Sequence, residues 1–233
     1  MKLLLYCTKA KPYLLRNIEN KFSTIEQIKK DWLIDSNGKT AENNGLILAE
    51  CDFEVEEIKR FTTIEKGTHY AWYEYKGLNV GNEDCELQNK SCLTFNELSD
   101  YLLDKSGYAI HIKNLRIFNK PRELYELKSP KMFNKFTEDL RQAYIDDAKI
   151  SERITEGYAD EHECANNVEL TYDIEYVVYG LKKAPQNMMY VYDDVEKKVL
   201  ISIRPEWLCK ILNGEKTIEV RKKVLKGMLE NAN

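Results

Sequence analysis

Between Val199 and Arg221 the chain runs an apolar strand into a short amphipathic helix and then into a charged turn, and no other segment constrains the fold as tightly. Gly214, Lys216, Glu219 and Arg221 place two cations and a carboxylate beside a backbone that glycine lets bend sharply. That grouping suits an anionic or polar planar ligand. Thr217 to Val220 alternate as in a strand, which pairs Lys216 with Ile218 and Val220 on one face and Glu219 with Thr217 and Arg221 on the other. A twist in the turn after Gly214 would bring Lys216 and Glu219 together.

The remaining chain reads as many short strands with a few capped helices. Strands are expected over Leu3–Thr8, Leu46–Ile58, Thr68–Tyr75, Tyr108–Phe118, Met188–Tyr192 and Val199–Ile203, the last two as a hairpin across Asp193 and Asp194. Alternation over Leu46–Ile58 slips by one residue near Glu50, which predicts a β-bulge. Helices are expected after Pro12 through Tyr13, Leu14 and Ile18, over Thr24–Leu33, from the capping box Thr94 to Glu97 until Gly107, and over Thr137–Ile150, with one turn across Pro121–Leu127. The fold class is therefore α+β, a mixed β-barrel with attached helices. Residues 1–130 and 181–221 are assigned to the barrel, 131–180 to an insertion holding the acidic run Asp160–Glu163 and an alternating Val168–Tyr179, and 222–233 to a tail.

At 233 residues the chain can bury a substantial core as one large domain or two small ones. Its 43% hydrophobic and 32% charged content excludes a disordered chain, and a net charge of -4 argues against binding all along a nucleic-acid backbone. Any basic surface must be local. No apolar run nears the roughly 20 residues of a spanning helix, and Met1–Cys7 is too short for a signal-peptide core, so a cytoplasmic protein without membrane contact is expected. Cys7, Cys51, Cys85, Cys92, Cys164 and Cys209 are scattered without a Cys-x-x-Cys pair, which reads as free thiols and no metal site. No Gly-rich phosphate loop and no βαβ alternation occur, and no cofactor is implied. His69, His111 and His162 form no triad with a nucleophile; His111 reads as a satisfied core residue and His162 as surface.

Over about 23 residues the Val199–Arg221 segment resembles the signature of the ASCH domain, a PUA-like β-barrel family associated with RNA and nucleotides. The carriers are the Ser202-Ile203-Arg204-Pro205 entry, Trp207, and the Gly214, Lys216, Glu219, Arg221 spacing. The resemblance to phage-type ASCH-like proteins extends through Leu5–Lys9, Tyr108–Ile112, Lys120–Leu124 and Ala184–Gln186, in rotated order. Circular permutation accounts for this; a tandem protein whose second copy stops after its first hairpin is the other account.

What the resemblance implies is a module binding a nucleotide, a modified nucleoside or short single-stranded RNA, in phage or prophage biology. Some small ASCH proteins are amidohydrolases of acetylated cytidine that use a Lys, a Thr and a Glu. The lysine carries over to Lys216, while Glu219 occupies the threonine's place with Thr217 two residues earlier, and a carboxylate is no substitute for a hydroxyl nucleophile. Lys216, Thr217 and Glu219 are thus the catalytic candidates only if the chain is an enzyme; Asp52 and Glu54 are candidates for the family glutamate. For binding the candidates are Lys9, Lys11, Gln186, Asn187, Arg204, Trp207, Lys216, Glu219 and Arg221. Lys216 and Arg221 would hold the ligand, Glu219 would accept from an exocyclic amine, Trp207 would stack, and Gln186 and Asn187 would read a base edge. Alternatively Glu219 and Arg221 form a structural salt bridge, and both readings can hold at once. Inhibition of a protein partner through 131–180 is a further reading.

Overall fold

The computed structural model describes residues 1–7, 14–16, 22–24, 45–81, 85–155 and 180–229. In chain order these form β1 (Leu3–Cys7), β2 (Leu14–Arg16), β3 (Phe22–Thr24), β4 (Ile47–Glu65), β5 (Thr68–Tyr75), β6 (Leu78–Asn79), α1 (Glu86–Ser91), α2 (Phe95–Leu102), β7 (Gly107–Arg122), a 3-10 turn (Leu124–Glu126), α3 (Pro130–Thr155), β8 (Met188–Asp193), β9 (Glu196–Ile203), α4 (Pro205–Leu212) and β10 (Ile218–Arg221). Thr8, Lys9, Lys11, residues 25–33, Asp160–Glu163 and Val168–Tyr179 lie outside the described residues, so the readings made for them have no structural counterpart here.

The α+β class holds. One mixed sheet runs in the order β10-β7-β4-β1-β9-β8, with β5 and β6 extending from β4. β1 sits at its middle, antiparallel to β4 and parallel to β9, and all five of its residues are buried, as expected of a strand covered on both faces. Burying Leu3, Leu4 and Leu5 contributes about 1.5–3 kcal/mol each. On one face Leu3, Leu5, Phe53, Val55 and Ile201 pack under Leu208, Ile211 and Leu212 of α4. On the other, Leu4, Tyr6, Val191 and Leu200 meet Leu124, Leu127 and Met132. A third cluster joins Ile58, Ala109, Ile218 and Val220 to Leu87 of α1 and to Leu98 and Leu102 of α2.

The sheet is not closed: β10 and β8 end its path and do not pair with each other. Side chains and the following segment cover this seam instead. Arg221 Nη2 donates to Ser202 O on β9 at 2.7 Å, and Nη1 donates to Asn187 Oδ1 beside β8 at 2.9 Å. The expected tail then runs along β8, where Tyr190 Oη donates to Lys226 O, Val224 and Leu225 pack on the core, and Met228 is fully buried.

The bulge near Glu50 is present as register shifts at Ile47/Ala49 and Glu50/Asp52. Glu50 is buried there, taking Arg116 at 2.6 Å and Lys198 at 3.3 Å. Lys198 also reaches Asp193 at 2.7 Å, and Arg122 clamps Asp193 with two bonds of 2.8 Å. Arg122 beside it, then Lys198, hold the Asp193 carboxyl down at about 2. Depressed from an ordinary value of 3.8, it contributes stability that is present above about pH 4 and lost as pH falls toward 2. Asp193→Asn should therefore cost about 2 kcal/mol at pH 7 and less at pH 3, as measured by urea denaturation at the two values.

Several boundaries differ from expectation. Leu14–Arg16 is a strand paired with Phe22–Thr24, not helix. Three apolar positions could not distinguish the periods. α2 has its capping box at Thr94 and Glu97, but it ends at Leu102, with Leu103 and Asp104 left-handed at φ 52° and 56°. Gly107 instead opens β7, where a Cβ would come within 2.4 Å of Leu102 Cδ2. α3 starts at Pro130, seven residues before Thr137, because Ser129 Oγ accepts from Met132 N and Pro130 suits the first turn. No described helix is long and apolar enough to cross a membrane.

Candidate functional site

The site is built where α4 turns into the edge strand β10. α4 ends at Leu212, and Gly214, at φ 76°, supplies the left-handed residue that follows a helix end. Glu215 N and Lys216 N both donate back to Lys210 O, at 2.9 and 3.0 Å, which winds the turn tightly. Thr217 N then donates to Lys90 O and Thr217 O accepts from Ile112 N, so the chain enters β10 pinned from both sides.

β10 runs antiparallel to β7, with Ile218 opposite His111 and Arg221 opposite Tyr108. Ile218 and Val220 join the cluster under α2, which leaves Glu219 and Arg221 on the other face. The tight turn brings Lys216 to that face as well. Lys216 Nζ lies 3.4 Å from Glu219 Oε2, and Arg221 Nη2 lies 2.9 Å from Glu219 Oε1. Glu219 is thus clamped between two cations.

Lys216 is 2% exposed. Its ammonium donates to Ser91 O at 2.6 Å and sits 5.1 Å from the Trp207 ring centroid. Burial pushes its pKa down, against the opposing pull of Glu219. Arg221 is also buried, and its Nε–H has no acceptor among the described residues.

These groups line a cleft of about 550 Å³ with Leu93, Glu97, Asp100, Tyr101, Gln186, Ser202, Arg204, Trp207 and Val220. Of the expected binding residues, Gln186, Arg204, Trp207, Lys216, Glu219 and Arg221 come together there. Trp207 is half-buried, packing on the core with one side while lining the cleft. Asn187 is drawn off to Arg221 and is not in the lining. Lys9 and Lys11 fall outside the described residues. Thr217 is absent from the lining, as are Asp52 and Glu54, which are engaged with Lys2 and Lys113 on β4.

Among the described lining residues Arg204, Lys216 and Arg221 are matched in number by Glu97, Asp100 and Glu219. Glu97, Asp100 and Tyr101 come from α2 and carried no signal of a site; Glu97 was legible only as a capping residue. The buried thiols are inert by the same reasoning as expected, with Cys7, Cys51 and Cys209 pushed up to about 12 by burial. Comparison with protein-family models, with curated proteins and with solved structures finds no match to this chain.

Proposed function

We propose that this chain is an ASCH-like module of PUA-like descent that holds a nucleotide, a modified nucleoside or short single-stranded RNA in the cleft beside Trp207. The observation that carries this reading is the buried Arg221 Nε–H, left without an acceptor on the wall of a cleft where Glu219 is the adjoining acceptor. Buried donors are nearly always paired, so an orphan beside a cleft is a place for a ligand acceptor. Glu219 accepts from a ring amine, and the Trp207 and Tyr101 rings give the base an aromatic surface. The balanced charge fits a base or nucleoside, with phosphate outside on exposed Arg204.

Binding without turnover is favoured by the hydroxyls. Thr217 is not in the cleft, and Ser202, which is, donates its proton to Pro185 O at 2.6 Å. Permutation has support in the path after β10: residues 222–226 run from the Ser202 level of β9 to Tyr190, which pairs with Val199, itself the partner of Leu3. The tail thereby spans toward the end of β1 where Met1 lies. A partner-binding role for the insertion loses the start of α3, since Met132 packs on the core and Phe133 stacks on Tyr192 at 3.9 Å.

The test is thermal denaturation with the four ribonucleosides, their 5′-monophosphates and an N-acylated cytidine, each followed by chromatography for product. A ligand at about 100 times its Kd should add about 2.7 kcal/mol of stability. Arg204→Ala should weaken a monophosphate about tenfold and leave the parent nucleoside unchanged. Product release would turn the reading to a hydrolase, and no shift with any of these ligands or with single-stranded RNA would remove it.

A further inference from the structure

After Arg221 the chain leaves the sheet at the cleft and lies beside β8, and the side chains it presents there to solvent are cationic. Lys223 O accepts from Asn187 Nδ2 at 3.5 Å and Lys226 O accepts from Tyr190 Oη, so the segment follows the strand from residue 187 to residue 190. That path is roughly 10 Å long. Lys222, Lys223 and Lys226 are exposed along it, while Val224, Leu225 and Met228 turn inward and pack on the core. Its near end reaches the cleft, where Lys222 Nζ stands 5.1 Å from the centre of the Tyr101 ring. At its far end Lys197 Nζ lies 4.1 Å over the Tyr190 ring.

Lys197, Lys222, Lys223 and Lys226 form no ion pair among the described residues, whereas Lys198, Lys216 and Arg221 are each held by a carboxylate. Strand parity accounts for the difference. Lys197 shares a face with Val199 and Ile201, which pack in the same cluster as α4 and the segment after β10. Asp193, Glu196 and Lys198 point to the opposite face, where Asp193 is taken up by Arg122 and Lys198. Residues 222–229 contain no acid. The carboxylates of the cleft stay on its α2 wall, at Glu97 and Asp100, and in the buried clamp at Glu219.

We propose that residues 222–226, with Lys197, are the phosphate track of a single-stranded RNA whose end nucleotide occupies the cleft, an inference that rests on the cleft reading above. Lys222 meets the phosphate that leaves the cleft, and Lys223, Lys226 and Lys197 meet those that follow along β8. A free mononucleotide needs none of the last three. Ammonium groups on flexible stems bind phosphate as point charges, so the track positions the strand and reads no sequence. With a net charge of -4 the rest of the surface repels a polyanion, which confines the strand to this local cationic edge. An acidic protein segment would meet the same lysines, but the Trp207 and Tyr101 rings at the head of the track favour a base.

The experiment uses the full chain with a fluorescein-labelled 12-nucleotide single-stranded RNA of mixed sequence, a 5′-mononucleotide and an oligoglutamate of matching charge. The 12-mer should bind about tenfold or more tighter than the mononucleotide, with log K falling against log salt at a slope of about -3, as four phosphate contacts require. Lys197→Gln/Lys223→Gln/Lys226→Gln, at exposed and unpaired positions, should keep the melting temperature, flatten that slope to about -1, weaken the 12-mer about tenfold or more and leave the mononucleotide unchanged. Unchanged 12-mer affinity and slope in that variant, or no binding of the 12-mer at all, overturns the track, and the mononucleotide result then judges the cleft reading by itself. Oligoglutamate binding as tight as that of the RNA overturns it in favour of an acidic protein partner. Binding of the 12-mer that depends on the three lysines, with no mononucleotide bound, upholds the track and removes the cleft from it.

Discussion

Glu219→Ala should lower stability by about 3–5 kcal/mol, because it leaves two buried cations facing each other without their shared carboxylate. Lys216→Met is expected to cost less. It removes a partner from Ser91 O, yet Glu219 keeps Arg221 at 2.9 Å and the lysine's own desolvation disappears. The asymmetry is the test: chemical denaturation of both variants should rank Glu219→Ala well below Lys216→Met. Equal losses would mean that the lysine anchors α1 through Ser91 more than it serves Glu219. The sign with pH follows from burial. Lys216 is held below its ordinary value of 10.5, so the folded state binds fewer protons than the unfolded state in the window beneath 10.5. Its contribution therefore improves as pH rises toward 10.5, and Lys216→Met should flatten that alkaline rise.

Much of the architecture was legible where one local rule decides it. Thr68–Tyr75 alternates and is flanked by turns, and β5 has those bounds. Thr94 and Glu97 satisfy each other's orphan groups at the start of α2, which needs no tertiary partner. The clamp of Lys216, Glu219 and Arg221 was half legible. Strand parity puts Glu219 beside Arg221, but only the backbone bonds to Lys210 O bring Lys216 round to them. Its burial was not legible at all, since it depends on Ser91, 125 residues earlier in the chain. The same holds for Tyr101 and Asp100, which reach the cleft because Leu98 and Leu102 pack α2 against Ile218 and Val220. Short amphipathic stretches failed for a different reason: Leu14–Arg16 pairs with Phe22–Thr24, and three residues carry too little periodicity to separate helix from strand.

Arg221→Leu should open the seam that hydrogen-bonded strands leave between the two ends of the sheet. The guanidinium spans it alone among the described side chains of β10, donating to Ser202 O on β9 and to Asn187 Oδ1 next to β8 while pairing with Glu219. Leucine keeps the bulk and supplies none of the three donations, and Ser202 O is then left buried without that donor. The expected loss is about 3–5 kcal/mol, the range for breaking a buried pair from one side. Arg221→Lys separates charge from geometry. An ammonium on a flexible stem can stay near Glu219, but it cannot reproduce a planar fork that reaches three acceptors at once, so it should recover only part of the loss. Hydrogen exchange gives the local readout: backbone amides of Ile218–Arg221 and of residues 222–228 should exchange faster in both variants, while β1 and the adjoining part of β4, buried at the sheet centre, should change least. Uniform acceleration across the sheet would show that the seam and the central strands open as one unit, and the guanidinium would then be one contact among many and no latch.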